Sequence, residues 1–151
     1  MKQLDEAWSV LAEVPDPEIP VVSVVDLGIV RGVSVEHGHV DVILTPTYTG
    51  CPATLPIRRA VEDALHEHFA DVSVRVSLAP AWTTDWITES GRHKLEAFGV
   101  APPNPATDRP QQCPQCGSTD TELLSAFGST PCKSLHRCRA CREPFDYFKC
   151  L

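Results

Sequence analysis

Four of the seven cysteines in this chain form two C-x-x-C pairs, Cys113 with Cys116 and Cys138 with Cys141. Two residues between cysteines let a tight turn direct both sulfurs at one ion, and two such turns complete a tetrahedron. Twenty-one residues separate the pairs, slightly more than the roughly 15–20 that are usual for a four-cysteine zinc site. The pattern predicts a metal centre of four thiolates that holds a structural Zn²⁺ ion. An iron ion in the same cage and a redox dithiol are the alternative interpretations.

Another cysteine, Cys51, sits where a strand pattern gives way to a helix pattern. Apolar residues alternate with other residues at 40–44, and they recur at spacings of three and four at 57–69. A thiolate at such a junction is favoured by free backbone N–H groups and by the positive end of the helix dipole, and a thiolate binds soft metals. The alternative is that Cys51 packs in the interior as a small hydrophobic residue.

The start of this helix decides whether Cys51 caps it. Pro52 suits the first helical position with Cys51 as the cap, but Pro56 then falls inside the helix, where proline is costly. A start after Thr54 removes that conflict and leaves Cys51 in the preceding loop.

Cys132 and Cys150 lie outside both pairs, and each is followed or preceded directly by a lysine, Lys133 and Lys149 respectively. An ammonium group close to a thiol lowers the thiol pKa. Both cysteines are therefore candidate additional reactive thiols, and the alternative is that they are ordinary thiols.

The order of the predicted elements is helix, strand, strand, helix, strand, helix. They comprise a helix at 3–13, strands at 29–35 and 40–45 joined by a hairpin turn at 36–39, a helix ending at Ala70, a strand at 72–78 and a helix from Thr88 to Phe98, ended by Gly99. One hairpin and one strand–helix–strand crossover predict an α+β fold, in which a small mixed β-sheet carries helices on one face.

The composition changes after residue 100, which predicts three parts: a domain at 1–100, a proline-rich linker at 101–112 and a zinc ribbon at 113–151. A tail of about 40 residues cannot bury enough apolar surface to fold unaided. Binding of structural zinc supplies about 10–16 kcal/mol of apparent free energy, which is enough to hold the tail.

The net charge of −7 argues against a general nucleic-acid binder and against a protein that binds anionic membranes. No apolar run approaches the roughly 20 residues of a membrane span, and the first residues lack the apolar core of a signal peptide. The sequence predicts a cytoplasmic protein, in which cysteines are metal ligands or reactive thiols more often than disulfides.

Three short stretches, at 16–20 (Asp-Pro-Glu-Ile-Pro), 26–28 (Asp-Leu-Gly) and 49–52 (Thr-Gly-Cys-Pro), resemble the metal-sulfur cluster assembly domain of SufT and of eukaryotic cytosolic iron–sulfur targeting proteins. The run at 82–87 and the C-terminal stretch at 141–150 are similar to the branch of this family that accompanies the phenylacetyl-CoA epoxidase of bacterial phenylacetate degradation. The resemblance therefore covers the whole chain. Its one departure is Tyr48-Thr49 in place of the usual alanine–proline before Gly50.

The resemblance implies that Cys51 is the functional residue and binds iron or an iron–sulfur cluster transiently. The residues it places in the supporting loop are Asp26, Gly28, Thr49, Gly50 and Pro52. It also implies an accessory, non-catalytic role in assembling the metal centres of the epoxidase subunits, above all those of the reductase, which carries flavin and an iron–sulfur cluster. Because clusters normally take four ligands, a homodimer or a partner must supply the others.

Other classes of function compete with this interpretation. One is a stable structural subunit of the epoxidase complex, another is a zinc-ribbon nucleic-acid binder, and a third is a cysteine-dependent enzyme. The +1 charge of residues 106–151 supports nucleic-acid binding weakly, and the −8 charge of residues 1–105 opposes it. No two-histidine-one-carboxylate or Glu-x-x-His set is visible, so the sequence predicts no oxygen-activating site.

Overall fold

A computed structural model of the chain describes residues 1–48 and 52–150. The chain divides into two compact units, Met1–Thr88 and Glu89–Leu151. The sequence predicts a boundary at residue 100, whereas the third helix groups with the C-terminal unit, where it contacts the strand that follows it. No helix within the described residues is long and apolar enough to span a membrane.

The N-terminal unit contains two α-helices, three strands and one short 3₁₀ turn, in the order that the sequence predicts. These are α1 Lys2–Ala12, β1 Val30–Glu36, β2 His39–Leu44, α2 Thr54–His66, β3 Asp71–Val76 and the 3₁₀ turn Thr84–Trp86. The strands form one sheet in the order β1-β2-β3, antiparallel between β1 and β2 and parallel between β2 and β3. The predicted α+β class with a small mixed sheet is confirmed.

The hairpin between β1 and β2 turns on two residues with positive φ, His37 at 51° and Gly38 at 81°. Two central residues with positive φ define the turn whose twist matches that of the flanking strands. The hairpin sets the register of β2, so Val40 and Val42 are completely buried. Asp41, between them, accepts two hydrogen bonds from the guanidinium group of Arg75, at 2.7 and 3.2 Å.

Helix α1 contacts β1 and α2, and α2 contacts β3. The buried helix residues recur at helical spacing: Ala7, Leu11, Ile57, Val61 and Leu65. Helix α2 ends at His66 rather than at the predicted Ala70, because the N–H groups of His68 and Phe69 both turn back to the carbonyl oxygen of Leu65. Strand β3 ends at Val76 rather than at Leu78, because its neighbour β2 ends at Leu44, the partner of Val76.

The C-terminal unit contains α3 Glu89–Phe98, β4 Val100–Ala101, β5 Thr121–Ser125, β6 Lys133–Cys138 and β7 Pro144–Phe148. Gly99 follows α3 with a φ of 95°, as expected for a helix terminator. The sheet order is β4-β7-β6-β5. Strand β6 is antiparallel to both β5 and β7, and β4 is parallel to β7.

The stretch at 101–112, predicted as a linker, packs in part on this sheet. Ala101 pairs with Tyr147 in the sheet, and the backbone N–H of Asn104 donates to the Tyr147 hydroxyl at 3.0 Å. That hydroxyl donates in turn to Asp108. The prolines exclude helix from this stretch, but these contacts hold it against β7.

Candidate functional site

The four cysteines of the two C-x-x-C pairs come together in the C-terminal unit. Cys113 and Cys116 precede β5, Cys138 is the last residue of β6, and Cys141 lies in the turn between β6 and β7. Their Sγ atoms all lie within 4.8 Å of one another. The sulfurs of Cys116 and Cys138 are 3.5 Å apart, and those of Cys113 and Cys141 are 3.8 Å apart.

These distances fit a single tetrahedral metal ion. Four zinc–sulfur bonds of about 2.3 Å that point to the corners of a tetrahedron hold the sulfurs about 3.8 Å apart. Cys113 and Cys138 are 1% and 0% exposed and share a small core with Ala101, Phe145 and Tyr147. A cluster of four sulfurs, two of which belong to the core, suits a structural metal better than an open catalytic one.

The two pairs also resemble each other in backbone geometry. The N–H of Gln115 points at the sulfur of Cys113 at 3.3 Å, and the N–H of Cys141 points at that of Cys138 at 3.5 Å. Gly117 completes the first turn with a φ of 77°, and its N–H donates to the carbonyl oxygen of Cys113. Backbone N–H groups directed at sulfur favour the thiolate, which is the form that binds metal.

The pKa values of two of these thiols are moved in opposite directions. The backbone N–H of Cys141 stabilises the Cys138 thiolate and lowers its pKa to about 6. The N–H of Glu143 also favours the Cys141 thiolate, but burial and the neighbouring sulfurs outweigh it and raise the pKa of Cys141 to about 12. The Cys138 thiol therefore ionises readily while the Cys141 thiol resists, and a bound cation would remove that resistance by neutralising the sulfurs.

The central prediction of the sequence, Cys51, lies outside the described residues, as do Thr49 and Gly50 of the supporting loop. The residues before the loop are Thr47 and Tyr48, both half-buried, and the residue after Cys51 is the exposed Pro52. Helix α2 begins at Thr54. Pro56 is then in the first turn, where a backbone N–H has no acceptor within the helix, so its ring is tolerated.

Asp16 and Asp26, in the two other family stretches, are buried at 5% and 8% exposure. Asp16 Oδ1 accepts hydrogen bonds from the N–H groups of Glu18 and Ile19, at 2.8 and 2.9 Å. Asp26 and Ser23 each accept the N–H of the other, both at 3.0 Å. These carboxylates hold the turns around them, which is a structural role for Asp26 within the predicted supporting loop.

Gly28 lies directly against the 3₁₀ turn that contains Trp86. Its φ is 71°, and an added Cβ would overlap the carbonyl oxygen of Trp86 and lie 2.6 Å from the Trp86 Cβ. The indole N–H of Trp82 donates to the carbonyl oxygen of Leu27 at 2.8 Å, and the N–H of Thr88 donates to that of Asp26. A glycine is needed here because no side chain fits between the two segments.

The segment at 82–88 lies beside the predicted supporting loop but is not among the predicted site residues, because its two tryptophans fit a core edge better than a cofactor platform. Trp82 also lines a cavity of about 90 Å³. The other residues around that cavity are Thr45, Pro46, Thr47, Tyr48, Leu78 and Ala81. The cavity lies at the entrance to the loop, so Trp82 connects the Asp26–Gly28 turn with the segment that leads to residues 49–51.

Neither of the additional thiols joins the four-cysteine cluster. The Cys132 sulfur is buried and lies 3.0 Å from the Thr130 hydroxyl. The Lys149 ammonium group donates to the carbonyl oxygen of Ala126. Burial raises the pKa of Cys150, which is opposite to the lowering that an adjacent lysine suggests from sequence.

Two family models match the chain. Residues 4–78 match the iron-sulfur cluster assembly protein model, and residues 101–149 match the PaaD zinc beta ribbon domain. Among solved structures, a domain of unknown function (DUF59) from Bacillus anthracis is 25% identical, with a TM-score of 0.57 over 61% of this chain and 90% of that one. A conserved hypothetical protein from Thermotoga maritima is 26% identical, with a TM-score of 0.52 over 60% and 91%. The fold and the cysteine cluster thus define a class of protein, an iron–sulfur cluster assembly domain followed by a zinc β-ribbon.

A relative from Escherichia coli K12 is similar over nearly the whole length of both chains. It is named as a putative subunit of 1,2-phenylacetyl-CoA epoxidase, and it is 47% identical over 156 residues, which cover 99% of this chain and 94% of the relative. The chain belongs to the family of this phenylacetyl-CoA epoxidase subunit. The family resemblance predicted from the motifs is confirmed, and the roles of the individual site residues stay predictions.

Proposed function

We propose that this protein is an accessory factor that helps to assemble an iron–sulfur cluster or metal centre of a phenylacetyl-CoA epoxidase. The observation that carries the proposal is the presence in one chain of an iron–sulfur assembly domain at 4–78 and a PaaD zinc ribbon at 101–149. The 47% identity with a relative named as an epoxidase subunit, over 99% of the chain, supports the epoxidase as its client.

In this proposal the two sets of cysteines do different work. Cys113, Cys116, Cys138 and Cys141 hold one structural Zn²⁺, since four thiolates leave no open coordination position for chemistry. Cys51 binds iron or a cluster transiently as a single soft ligand, because one thiolate is too few to retain a cluster that takes four. The remaining ligands come from the client or from a second copy of the chain. The reductase, with its iron–sulfur cluster, is the proposed client.

The test replaces Cys51 in cells that depend on the epoxidase for growth on phenylacetate. Cys51→Ser exchanges a soft ligand for a hard, poorly ionised one of similar size. We expect reductase short of iron and acid-labile sulfide, together with slow growth. Cys132→Ser is the matched control, because Cys132 lies outside the four-cysteine cluster. A fully loaded reductase and normal growth with Cys51→Ser would refute the proposal.

A stable, non-catalytic structural component of the epoxidase is the second candidate, and the word "subunit" in the name of the relative favours it. A structural component co-purifies with the epoxidase at a fixed ratio, whereas an assembly factor does not remain in the mature complex. Purification of the complex through its oxygenase component, followed by measurement of the molar ratio of this protein, separates the two candidates.

The proposed role is not catalytic. The isolated, metal-loaded protein should show no turnover of phenylacetyl-CoA with oxygen and a reductant. Turnover by this protein freed of the other subunits would require a different function.

A further inference from the structure

The outer strand of the ribbon sheet and the residues that follow it carry large apolar side chains in contact with solvent. Leu123, Leu124 and Phe127 are 60%, 47% and 67% exposed and lie within five consecutive residues; we call them the β5 patch. Strand β5 is the last strand in the order β4-β7-β6-β5, so its outer edge has no strand partner within the described residues. Contiguous exposed apolar surface of this kind marks an interaction site more often than a random surface.

A groove of about 700 Å³ runs beside this patch. The buried residues Ser134 and His136 line it, as do Leu123 and Ala126. Leu123 pairs with His136 across β5 and β6, so the two side chains share a face of the sheet. The groove therefore lies on that face of the sheet, beside β5, and residues 108–110 border it.

The charges around the groove favour an anionic occupant. Arg109 and Lys149 line it, and within the described residues neither forms an ion pair with a carboxylate. The Lys149 ammonium group is held beside the patch, 4.6 Å from the centre of the Phe127 ring. Glu122, the carboxylate on β5, is already paired with Arg137 and Arg139.

Asp108 also lines the groove, but its carboxylate accepts hydrogen bonds from the N–H of Cys150 and the hydroxyl of Tyr147, at 2.9 and 3.2 Å. It is therefore directed at the ribbon. The two unpaired cations at the groove outnumber it, so the local field attracts a carboxylate rather than an ammonium group.

The bulge in β5 bears on how a partner is recognised. The register shifts between Leu123 and Ser125, so Leu124 is an extra residue without a partner on β6. A bulge at a sheet edge twists the strand and interrupts the row of backbone groups available for pairing. Recognition here must depend on side chains more than on the addition of a long strand.

We propose that the β5 patch and its groove dock an extended segment of an epoxidase subunit, in which apolar side chains alternate with carboxylates. The apolar side chains cover Leu123 and Phe127, and the carboxylates pair with Arg109 and Lys149. This inference rests on the proposed function for the identity of the partner. It adds that the ribbon is the surface that selects the client.

The experiment measures binding of the full-length, metal-loaded protein to each purified epoxidase subunit, at low and at high salt. The double variant Leu123→Ser/Phe127→Ser should weaken binding at least about tenfold, because buried apolar groups at an interface dominate its affinity. The double variant Arg109→Gln/Lys149→Gln should bind about three- to tenfold more weakly at low salt and lose most of the salt dependence.

Leu55→Ser and Phe98→Ser are matched controls, since both side chains are 55% exposed and lie outside the patch. They should bind within about twofold of the unmodified protein, because a half-exposed side chain outside an interface contributes little. All variants should retain their metal and their thermal midpoint, which excludes unfolding as the cause of any loss.

Three outcomes would overturn the inference: patch variants that bind as the unmodified protein does, no binding to any subunit, or a patch variant that changes only self-association. The last would make a second copy of the chain the occupant. Binding without salt dependence would exclude a carboxylate-bearing segment. The proposed function fails separately, if Cys51→Ser supports a fully loaded reductase while the patch variants still lose binding.

Discussion

The two units of this chain use different means to stay folded. The N-terminal unit buries a set of aliphatic side chains completely, among them Val22, Val24, Val40, Val42 and Val61. In the C-terminal unit, Cys113 and Cys138 contribute to the small core around Phe145 and Tyr147. The first unit therefore relies on the hydrophobic effect, and the second needs the metal that its sulfurs are proposed to hold. In the proposed function, stability and transient chemistry therefore depend on separate cysteines.

The two units also differ in net charge. Residues 1–88 carry 5 Lys/Arg and 13 Asp/Glu, a net −8, and residues 89–151 carry 8 and 7, a net +1. A unit with a net negative charge attracts cations, which suits the iron binding proposed for it, and a nearly neutral ribbon with exposed apolar groups suits protein contact. The difference in charge is what we expect if the proposed chemistry and the proposed client recognition occupy separate units.

Metal removal is the treatment to which the two units should respond most differently. A chelator, or Cys138→Ser, should unfold the ribbon strands β5–β7, because apparent zinc-binding free energies are about 10–16 kcal/mol. Residues 1–88 should keep their helical signal and their backbone protection from hydrogen exchange. Metal analysis combined with residue-resolved exchange measures both outcomes in one sample.

Cys132→Ser is the control for that experiment, since Cys132 is 4% exposed and lies outside the four-cysteine cluster. It should retain the metal and the ribbon. A ribbon that stays protected without metal would contradict the division drawn between the two units.

A second pair of variants tests how the N-terminal unit depends on tight packing. Gly28→Ala and Gly38→Ala both place a Cβ at positive φ, which costs about 1–2 kcal/mol. At Gly38 nothing lies within 4 Å of the added atom, whereas at Gly28 it overlaps Trp86. We expect Gly28→Ala to cost about 1–3 kcal/mol more than Gly38→Ala, because of the added steric overlap. Urea unfolding of the N-terminal unit, followed by tryptophan fluorescence, gives the two free energies, and equal losses would show that the 82–88 segment moves aside without cost.

Local features of this fold could be predicted from the sequence, and contacts between distant segments could not. Gly38 and Gly99 each mark a change of direction that depends on their own φ, so the hairpin and the end of α3 could be predicted from the sequence. The docking of Trp82 and Trp86 on the Asp26–Gly28 turn joins residues more than fifty positions apart, and no local pattern reports it. For the same reason the prolines at 102–105 indicated an extended chain without showing that it packs on β7.

The metal centre could be predicted because the sequence signal for it is the spacing of the cysteines. Two C-x-x-C pairs constrain the chain to bring four sulfurs together, whatever strands lie between them. The strands β5, β6 and β7 themselves were missed, because five or six residues of partly alternating pattern do not distinguish a strand from a loop. The cysteine positions thus predicted the site better than they predicted the sheet that carries it.

The smallest expected effect is the change in stability at low pH, and the two units should again respond differently. Hydrogen bonds from the Arg75 guanidinium hold the pKa of Asp41 below its usual value. A carboxyl group whose pKa is lower in the folded state stabilises the fold above its ordinary pKa, and that contribution is lost as the pH falls through the lowered value. The N-terminal unit should therefore lose a small increment of stability below about pH 4. Arg75→Gln should lower the stability at pH 7 by that same small increment, since exposed ion pairs contribute little, and should have less effect as the pH falls, so that the acid dependence becomes flatter.

The ribbon should respond to acid earlier, because protonation of its thiolates competes with the metal as soon as the pH falls below neutrality. Denaturant titrations of both units between pH 7 and pH 3, with and without Arg75→Gln, measure the two responses side by side. If the N-terminal unit shows the same acid dependence with and without Arg75, the Asp41 pair does not stabilise the sheet. If the ribbon shows no loss of metal before the N-terminal unit responds, the metal does not hold it.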